Sequence, residues 1–435
     1  MKDLILKILT FKLRLIAKLT VKRYQPSIIG VTGNVGKTSA KMAIAAALSG
    51  DRKVRASAKN FNNELGLPLN IIGDWEKTGG IFFWLKVVLF GMFQLIIKNP
   101  RYPETLVLEY GVDRPDDMKY LLGIARPQIG VVTAVGNVPV HVEFFSGPEG
   151  VAKEKAKLVT QLPATGFAIL NADDPQVLKM AGDTRGRVIT YGFSDKADIR
   201  ILSFANRLDQ EKGEAGISFK ISYNGNVVPL WIPNVLGKTA AYASAAGAAV
   251  GMIFGVNLVK AGENFAKADS PPGRLRVLRG IKGSMIIDDT YNASPLAMRE
   301  ALEIFKSLKA KRKIAVLGDM LEIGKYTMEA HEEIGALAAK RADLLLTVGL
   351  RGKFIAEGAI KNRMPKNSVF SFEDIHEAGR FLQERLKSGD VVLAKASQGV
   401  RMEKVVKEIM AEPLRSKELL VRQDKVWLEK SSIYE

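Results

Sequence analysis

The stretch Gly33-Asn34-Val35-Gly36-Lys37-Thr38-Ser39 follows the apolar run Ile28-Ile29-Gly30-Val31 and precedes an alanine-rich segment over 40–48. Glycines, a lysine and a hydroxyl in the order G-x-x-G-K-[ST], set between a strand and a helix, make a short phosphate-cradling loop. Backbone N–H groups from Gly33 to Lys37 would ring a triphosphate at the helix N-terminus, where the helix dipole also favours anions. Lys37 would reach the β- and γ-phosphates, and the Thr38 hydroxyl would sit on Mg²⁺. The expected ligand is ATP or a similar nucleotide; the plain alternative is an ordinary glycine-containing turn.

Other groups with chemistry in them fall at the ends of apolar runs. Glu109 closes Leu106-Val107-Leu108, at the carboxyl edge where open α/β sheets bind ligands. His141, one of only three histidines, lies in Val138-Pro139-Val140-His141-Val142-Glu143 after the next run. Lys153 and Lys155 stand near the start of the helix that follows. Late in the chain, Asp288-Asp289-Thr290-Tyr291-Asn292 ends one strand and Gly318-Asp319-Met320-Leu321-Glu322-Ile323-Gly324 ends the next. Taken singly, each has a structural reading: a strand-end acid, a core histidine, solvated lysines, turn or N-cap acids, a plain loop.

The elements that must position these groups alternate strand and helix. Thr105–Leu108, Ile129–Thr133 and Phe167–Leu170 read as buried parallel strands, with a helix over 147–162. From about 186 to 233 the pattern changes to short strands with Gly and Asn turns, followed by an alanine-rich helix over 239–254. Asp269-Ser270-Pro271-Pro272-Gly273 reads as a junction. Beyond it come strands at 285–287, 313–317, 344–348 and 391–393 and helices at 295–308, 327–341, 373–387 and 400–410. The expected class is α/β: a P-loop central domain with a parallel sheet plus a small antiparallel part, then a Rossmann-like C-terminal domain without a G-x-G-x-x-G fingerprint. The expected divisions are an N-terminal helix over 1–26, the central domain over 27–270, the C-terminal domain over 271–412 and a tail over 413–435. A ligand would bind in a cleft between the two domains.

Hydrophobic content of 47% and charged content of 25% over 435 residues exclude a disordered chain. The absence of cysteine excludes disulfides, thiol catalysis and Cys-ligated metals. The net charge of +18 suits nucleic acid, an anionic membrane or polyanionic small substrates, but no zinc-finger spacing or RNP-type motif accompanies it, so nucleic acid is not expected. Residues 1–24 carry seven Lys and Arg against Asp3. At helical spacing Lys7, Arg14 and Lys18 form a basic stripe beside an apolar face of Leu4, Ile8, Phe11, Leu15 and Leu19. Such a helix lies on a membrane surface or packs on its own domain. The apolar run 81–97 contains Lys86 and Gln94 and is short for a spanning helix, so it reads as a surface helix, docked or dipping into a bilayer interface. The expected location is cytoplasmic, with peripheral contact to the inner membrane face through 1–24 and 81–97.

With these motifs in order, the sequence resembles the ATP-dependent Mur ligases from about residue 28 to about residue 410. The resemblance is carried by Thr32-Gly33-Asn34-Val35-Gly36-Lys37-Thr38, Asp289-Thr290-Tyr291-Asn292-Ala293-Ser294-Pro295 and Val316-Leu317-Gly318-Asp319-Met320-Leu321-Glu322-Ile323-Gly324. Asn60-Phe61-Asn62-Asn63-Glu64-Leu65-Gly66-Leu67-Pro68 is similar to a family loop near the substrate. The Asp319-Met320-Leu321-Glu322 loop looks like the branch that adds D-alanyl-D-alanine to a muramyl-peptide carboxylate.

The resemblance implies ATP and Mg²⁺ as cofactors, with a muramyl-peptide precursor and D-alanyl-D-alanine as substrates. It implies that Gly33, Asn34, Val35, Gly36, Lys37, Thr38 and Ser39 hold the phosphates. Thr38 would hold a first Mg²⁺, Glu109 and His141 would be the metal-binding acid and histidine, and Lys155 would be a carbamylated lysine on a second Mg²⁺. Lys37, His141 and Lys155 would be the catalytic set. Asn171 and Asp174 match a nucleotide-site motif, and Arg274, Asp289 and Asn292 match positions through which the last domain closes on the nucleotide. Asn60, Asn62, Asn63, Asp319 and Glu322 would lie near substrate, with Lys395 and Ser397 near the incoming amine. The chemistry is consistent: amide formation from a carboxylate needs a better leaving group than oxide, which γ-phosphoryl transfer supplies, and cations must offset the gathered negative charge.

The sequence also departs from the family. A domain that grips the UDP-muramyl group usually precedes the phosphate loop, whereas here the loop begins about thirty residues in, after the basic helix. The UDP-sugar is then held differently, or the acceptor is lipid-linked. The chain has Gly237-Lys238-Thr239-Ala240 and Ala243 where the family has Gly-Arg-His-Asn and a later Asn, and Lys395-Ala396-Ser397-Gln398 lacks the usual Gly and Arg. Two competing functions are a ligase acting on another carboxylate, such as a poly-glutamate-adding enzyme, and a membrane-associated nucleotide-binding protein without ligation.

Overall fold

The computed structural model describes residues 2–57, 61–75, 79–136, 144–145, 147–209, 212–429 and 432–433; Asn60 and His141 lie outside them. The chain divides into two compact units, one of residues 1–204, 219–230 and 238–268, the other of residues 205–218, 231–237 and 269–435.

The first unit is built on β1 (Ser27–Thr32), β2 (Val54–Ala56), β3 (Thr105–Glu109), β4 (Ile129–Val132), β5 (Phe167–Asn171) and β6 (Arg187–Gly192). They lie side by side in the order β2-β3-β1-β4-β5-β6, all parallel. The register sets Val31 opposite Glu109 on one side and Val131 on the other, so the acid and the start of the phosphate loop share one sheet edge. β3 is buried at every position, as expected of a strand covered on both faces. The strand order continues through β7 (Ile199–Asp209), β8 (Glu214–Tyr223) and β9 (Asn226–Pro233), whose residues within 205–218 and 231–237 count with the second unit. Asn224 and Gly225 join β8 to β9 with φ of 48° and 79°, the turn of a tight antiparallel hairpin.

The helices of this unit are α1 (Lys2–Tyr24), α2 (Lys37–Leu48), α3 (Gly66–Ile72), α4 (Ile81–Ile96), α5 (Asp117–Leu122), α6 (Pro148–Thr160), α7 (Pro175–Leu178), α8 (Lys238–Ile253) and α9 (Leu258–Lys267). The alanines of α2 and α8 have a packing reason. A Cβ on Gly247 would stand 2.9 Å from the Ala43 backbone, so only small side chains let these helices approach so closely. Among the described residues no helix is long and apolar enough to cross a membrane.

The second unit holds β10 (Arg276–Arg279), β11 (Met285–Asp288), β12 (Arg312–Gly318), β13 (Leu344–Val348), β14 (Val369–Phe372) and β15 (Asp390–Lys395), in the order β10-β11-β15-β12-β13-β14. Its helices are α10 (Pro295–Ser307), α11 (Thr327–Ala338), α12 (Gly352–Lys361), α13 (Ile375–Arg385), α14 (Glu403–Ile409), α15 (Ser416–Leu419) and α16 (Lys425–Leu428). Alternate strand residues feed opposite cores: Ile287, Leu317 and Leu393 one, Ile286, Val316 and Val392 the other. Two features differ from the sequence reading. β10 is an antiparallel edge on an otherwise parallel sheet, and α12 with β14 fills 352–372, where no elements were expected. β14 is a four-residue, half-buried edge strand with little periodic signal, whereas α12 buries Ile355, Ala356, Gly358 and Ala359 on one face and exposes Lys353, Glu357 and Lys361, a pattern that was legible in principle.

Candidate active site

The phosphate loop is held in shape by its neighbours. Gly33 has φ of 139°, and a Cβ there would meet the Thr133 hydroxyl at 2.0 Å; Gly36 has φ of 84°. Both positions need glycine. Thr133 Oγ1 donates to the Val35 carbonyl at 2.7 Å, while Asn34 donates its N–H to Ala134 O and its Nδ2 to Val135 O, each at 2.6 Å. Lys37 Nζ lies across the loop, 2.8 Å from Gly33 O and 3.3 Å from Asn34 O. Gly36 begins α2 without a side-chain cap, which leaves the helix end suited to an anion.

On α2, Lys37, Thr38 and Lys41 occupy adjoining positions of one face. Thr38 Oγ1 donates to Glu109 Oε2 at 3.3 Å, Lys41 Nζ stands 3.3 Å from the same oxygen, and Asn62 Nδ2 donates to Glu109 Oε1 at 3.2 Å. Burial pushes the Glu109 carboxyl up, but Lys41 and Lys37 outweigh it and hold the group below its ordinary value. Asn63 caps α3, its Oδ1 accepting from Gly66 N at 2.9 Å, and so fixes the loop that carries Asn62.

The two lysines of α6 separate cleanly: Lys153 is exposed, Lys155 buried. Burial, then the charge of Lys37, holds the Lys155 amine down at about 7, with Asp113, Glu154 and Asp117 opposing. Asp174 accepts from Val135 N and Gly136 N at 2.7 and 2.9 Å and caps α7, so its carboxylate braces the loop after β4. Asn171 Oδ1 accepts from Asp173 N at 3.0 Å, and Asp173 in turn accepts from Tyr242 Oη at 2.7 Å. Phe193 packs edge-on to Tyr242 with Lys238 Nζ 4.9 Å from its ring centre.

The second unit gathers its own cluster at the carboxyl ends of β11, β15 and β12. Lys395 Nζ is 2.7 Å from Asp289 Oδ2 and donates to Asn292 O at 2.9 Å. Ser397 Oγ accepts from Leu321 N at 2.9 Å, and Ser397 N donates to Asp319 O at 2.9 Å. The Asp319 carboxylate is fully buried and accepts from Gly352 N at 2.7 Å. Glu322 is exposed on the same loop with φ of 62°, and Arg274 lies 3.9 Å above the Tyr291 ring.

Two family profiles match the chain, the Mur ligase middle domain over 91–251 and the Mur ligase glutamate ligase domain over 273–398. The UDP-N-acetylmuramoyl-tripeptide–D-alanyl-D-alanine ligase of Bacillus subtilis is 31% identical over 404 residues, 92% of this chain and 80% of that one. The chain belongs to the Mur ligase family. As a Mur ligase it is an enzyme that uses ATP to join a carboxylate to an amine. The corresponding Escherichia coli ligase is 26% identical over 388 residues, 88% of this chain and 76% of that one. The fold is similar to MurF ligase from Thermotoga maritima in complex with ADP (TM-score 0.74, 25% identity, 94% of this chain and 84% of that one). It is also similar to MurF from Acinetobacter baumannii (TM-score 0.74, 22% identity, 90% and 78%).

In this Mur ligase the Thr38 hydroxyl and Glu109 carboxylate converge beside the phosphate loop as hard oxygen donors. No cluster of three or more His, Cys, Asp or Glu among the described residues forms a protein cage for a metal. That donor set fits Mg²⁺, which is usually held by one or two carboxylates together with substrate phosphates. Four positioning residues escaped the sequence reading: Lys41, Thr133, His331 and Arg422. Lys41 was legible in principle, one turn beyond Lys37 on the same face. His331 Nε2 accepts from Met320 N at 3.0 Å while Nδ1 faces Thr327 O at 2.6 Å, which fixes its tautomer and the 318–323 loop. Burial lowers its pKa and keeps it neutral.

Proposed function

We propose that this Mur ligase joins the amine of D-alanyl-D-alanine to the terminal carboxylate of a muramyl-tripeptide precursor of peptidoglycan, in the cytoplasm at the inner membrane face. The observation that carries the reading is the convergence of Lys37, Thr38, Lys41, Glu109 and Asn62 at one sheet edge, in a chain matched over 92% of its length by the Bacillus subtilis ligase.

The acceptor carboxylate attacks the γ-phosphorus of ATP, ADP leaves, and an acyl phosphate forms. The amine lone pair then attacks the acyl carbon, a proton leaves nitrogen, and inorganic phosphate departs with the C–O bonding pair. Lys37 and the N–H groups of the 33–38 loop hold the phosphates in line and offset their charge. Thr38 would hold a first Mg²⁺, Glu109 and His141 would be the metal-binding acid and histidine, a carbamylated Lys155 would hold a second Mg²⁺, and bound Mg²⁺ would neutralise charge on the transferring phosphoryl group. Lys155 is suited to carbamylation because burial and the charge of Lys37 disfavour its ammonium and leave a neutral amine able to take up CO₂. Asn171 and Asp174 would serve the nucleotide side, and Arg274, Asp289 and Asn292 are assigned to the nucleotide by the family resemblance alone. Lys395 and Ser397 would orient the amine, and Asn60, Asn62, Asn63, Asp319 and Glu322 are assigned to substrate by the family resemblance alone.

The test is phosphate release from Mg-ATP with UDP-N-acetylmuramoyl-tripeptide, with and without D-alanyl-D-alanine, and the product weighed by mass spectrometry. Turnover that requires all three and disappears in Lys37→Ala is expected. ATP binding without turnover on this acceptor would overturn the substrate assignment.

A further inference from the structure

α1 and α4 form one side of the first unit. Both rest on α3 and pack on each other, with Ile16 against Gly91, Arg23 donating to Ile96 O at 3.2 Å and Tyr24 Oη to Gln94 O at 3.0 Å. α1 buries Leu13, Ile16, Ala17 and Thr20 and turns Phe11, Leu15 and Leu19 outward. The apolar face at Ile8, Phe11, Leu15 and Leu19 is therefore the side this helix does not pack on its own domain.

α4 is inverted relative to a water-facing helix. Its buried stripe is Val87, Gly91 and Gln94, and Gln94 Nε2 donates to Ile72 O at 2.9 Å. Its outward residues are large and apolar: Phe82 is 83% exposed, Ile96 77%, Phe93 57% and Leu89 56%. A helix with its glutamine inside and Phe82, Phe90 and Phe93 outside is not shaped for solvent, and a contiguous exposed apolar face of this kind marks a docking surface. The border is cationic. Lys7, Lys12, Lys18, Lys22, Lys86 and Lys98 are exposed, and the sequence has only Asp3 as an acid in 1–24 and none in 77–103.

We propose that the α1–α4 face docks in the plane of an anionic lipid bilayer, with Phe11, Leu15, Phe82, Leu85, Leu89 and Phe93 at the acyl–headgroup boundary and the lysines on lipid phosphates. Charge decides against a second copy of the same face, which would bring two cationic borders together. Length decides against spanning: at about 1.5 Å per residue α4 is roughly 24 Å long, short of a hydrocarbon core of about 30 Å. Apolar insertion and basic attraction together give reversible anchoring. The proposal deepens the membrane-side part of the function above. Vesicle binding is read without ligation, so either can fail alone.

The experiment is co-sedimentation of the full chain with vesicles of phosphatidylcholine alone and of phosphatidylcholine with an equal share of phosphatidylglycerol. Binding at least about tenfold tighter to the anionic vesicles, weakened by salt, is expected. Phe82→Glu with Leu89→Glu should abolish it while ADP binding stays unchanged. Lys86→Glu with Lys98→Glu tests the charge independently and should weaken binding to anionic vesicles alone. No binding to either vesicle, unchanged binding in both double variants, or a dimer that Phe82→Glu dissolves in a chain that ignores vesicles would each overturn the proposal.

Discussion

Lys41 Nζ stands 3.3 Å from Glu109 Oε2 with both side chains 1% exposed, so the acid beside the phosphate loop is held ionised by a buried cation. Neither charge is stable there alone. Lys41→Met is expected to cost about 3–5 kcal/mol in urea unfolding, because it strands a buried carboxylate. Glu109→Gln strands the ammonium in the same way. Combined, the two changes should cost less than their sum by at least about 1 kcal/mol. Additive effects would mean that the pair is not coupled.

Lys155 gives a prediction about modification. Held down at about 7 by burial and by Lys37, it is an ammonium below that pH and a neutral, nucleophilic amine above it. Carbamate formation needs the neutral amine, so labelled bicarbonate should add a carbamate carbon signal at pH 8 and much less at pH 6. Lys155→Arg stays charged, should lack the signal, and should lose about a hundredfold or more in ligation rate. A signal that persists in Lys155→Arg would place the carbamate elsewhere.

The phosphate loop was readable because its glycines, lysine and hydroxyl are contiguous, and the strand-end acids because apolar runs pointed to their edge. Lys155 could be told from Lys153 only by family resemblance, since two residues on one helix turn look alike until burial separates them. Thr133 was missed because its partner Val35 lies 98 residues away, where local periodicity has no reach; helical spacing puts Lys41 on the face of Lys37, but does not show its pairing with Glu109, 68 residues on. The outward face of α4 was ambiguous for a different reason: an apolar run does not reveal which side is covered.

Asp288 predicts a pH dependence of stability. Burial pushes its carboxyl up to about 6, and the neighbouring charge of Asp289 adds to this, against hydrogen bonds from Thr290 and Gly273. Between about 3.8 and 6 the folded state therefore binds more protons than the unfolded state, so this group's contribution falls as pH rises through that window. Asp288→Asn removes the titration. The stability of the wild type relative to Asp288→Asn should drop between pH 4 and pH 7, by about 3 kcal/mol at most. A difference that is flat with pH would show that Asp288 titrates normally.

Arg422 ties the C-terminal segment to the loop that carries Asn292. Its Nη2 donates to Thr290 O at 2.5 Å and to Glu403 Oε2 at 2.6 Å, and its Nη1 donates to Tyr291 O at 2.9 Å. Arg401 Nε holds the other oxygen of Glu403 at 2.6 Å, and Arg401 Nη1 donates to Trp427 O at 2.7 Å. A buried anion between two guanidinium groups thus clamps the segment just past Asp289, whose carboxylate meets Lys395. Arg422→Met should leave Glu403 half-compensated, cost about 3 kcal/mol or more in unfolding free energy, and release the 290–292 backbone. Lys fits only one of the three acceptors, so Arg422→Lys should recover part of the stability and little of the loop order. Because Asn292 O holds Lys395 Nζ and Asn292 is assigned to the nucleotide, kcat/KM for D-alanyl-D-alanine should fall at least about tenfold in Arg422→Met and ADP affinity should weaken with it, at a temperature where the variant keeps its native circular dichroism. No loss in either would mean that the clamp serves the tail alone.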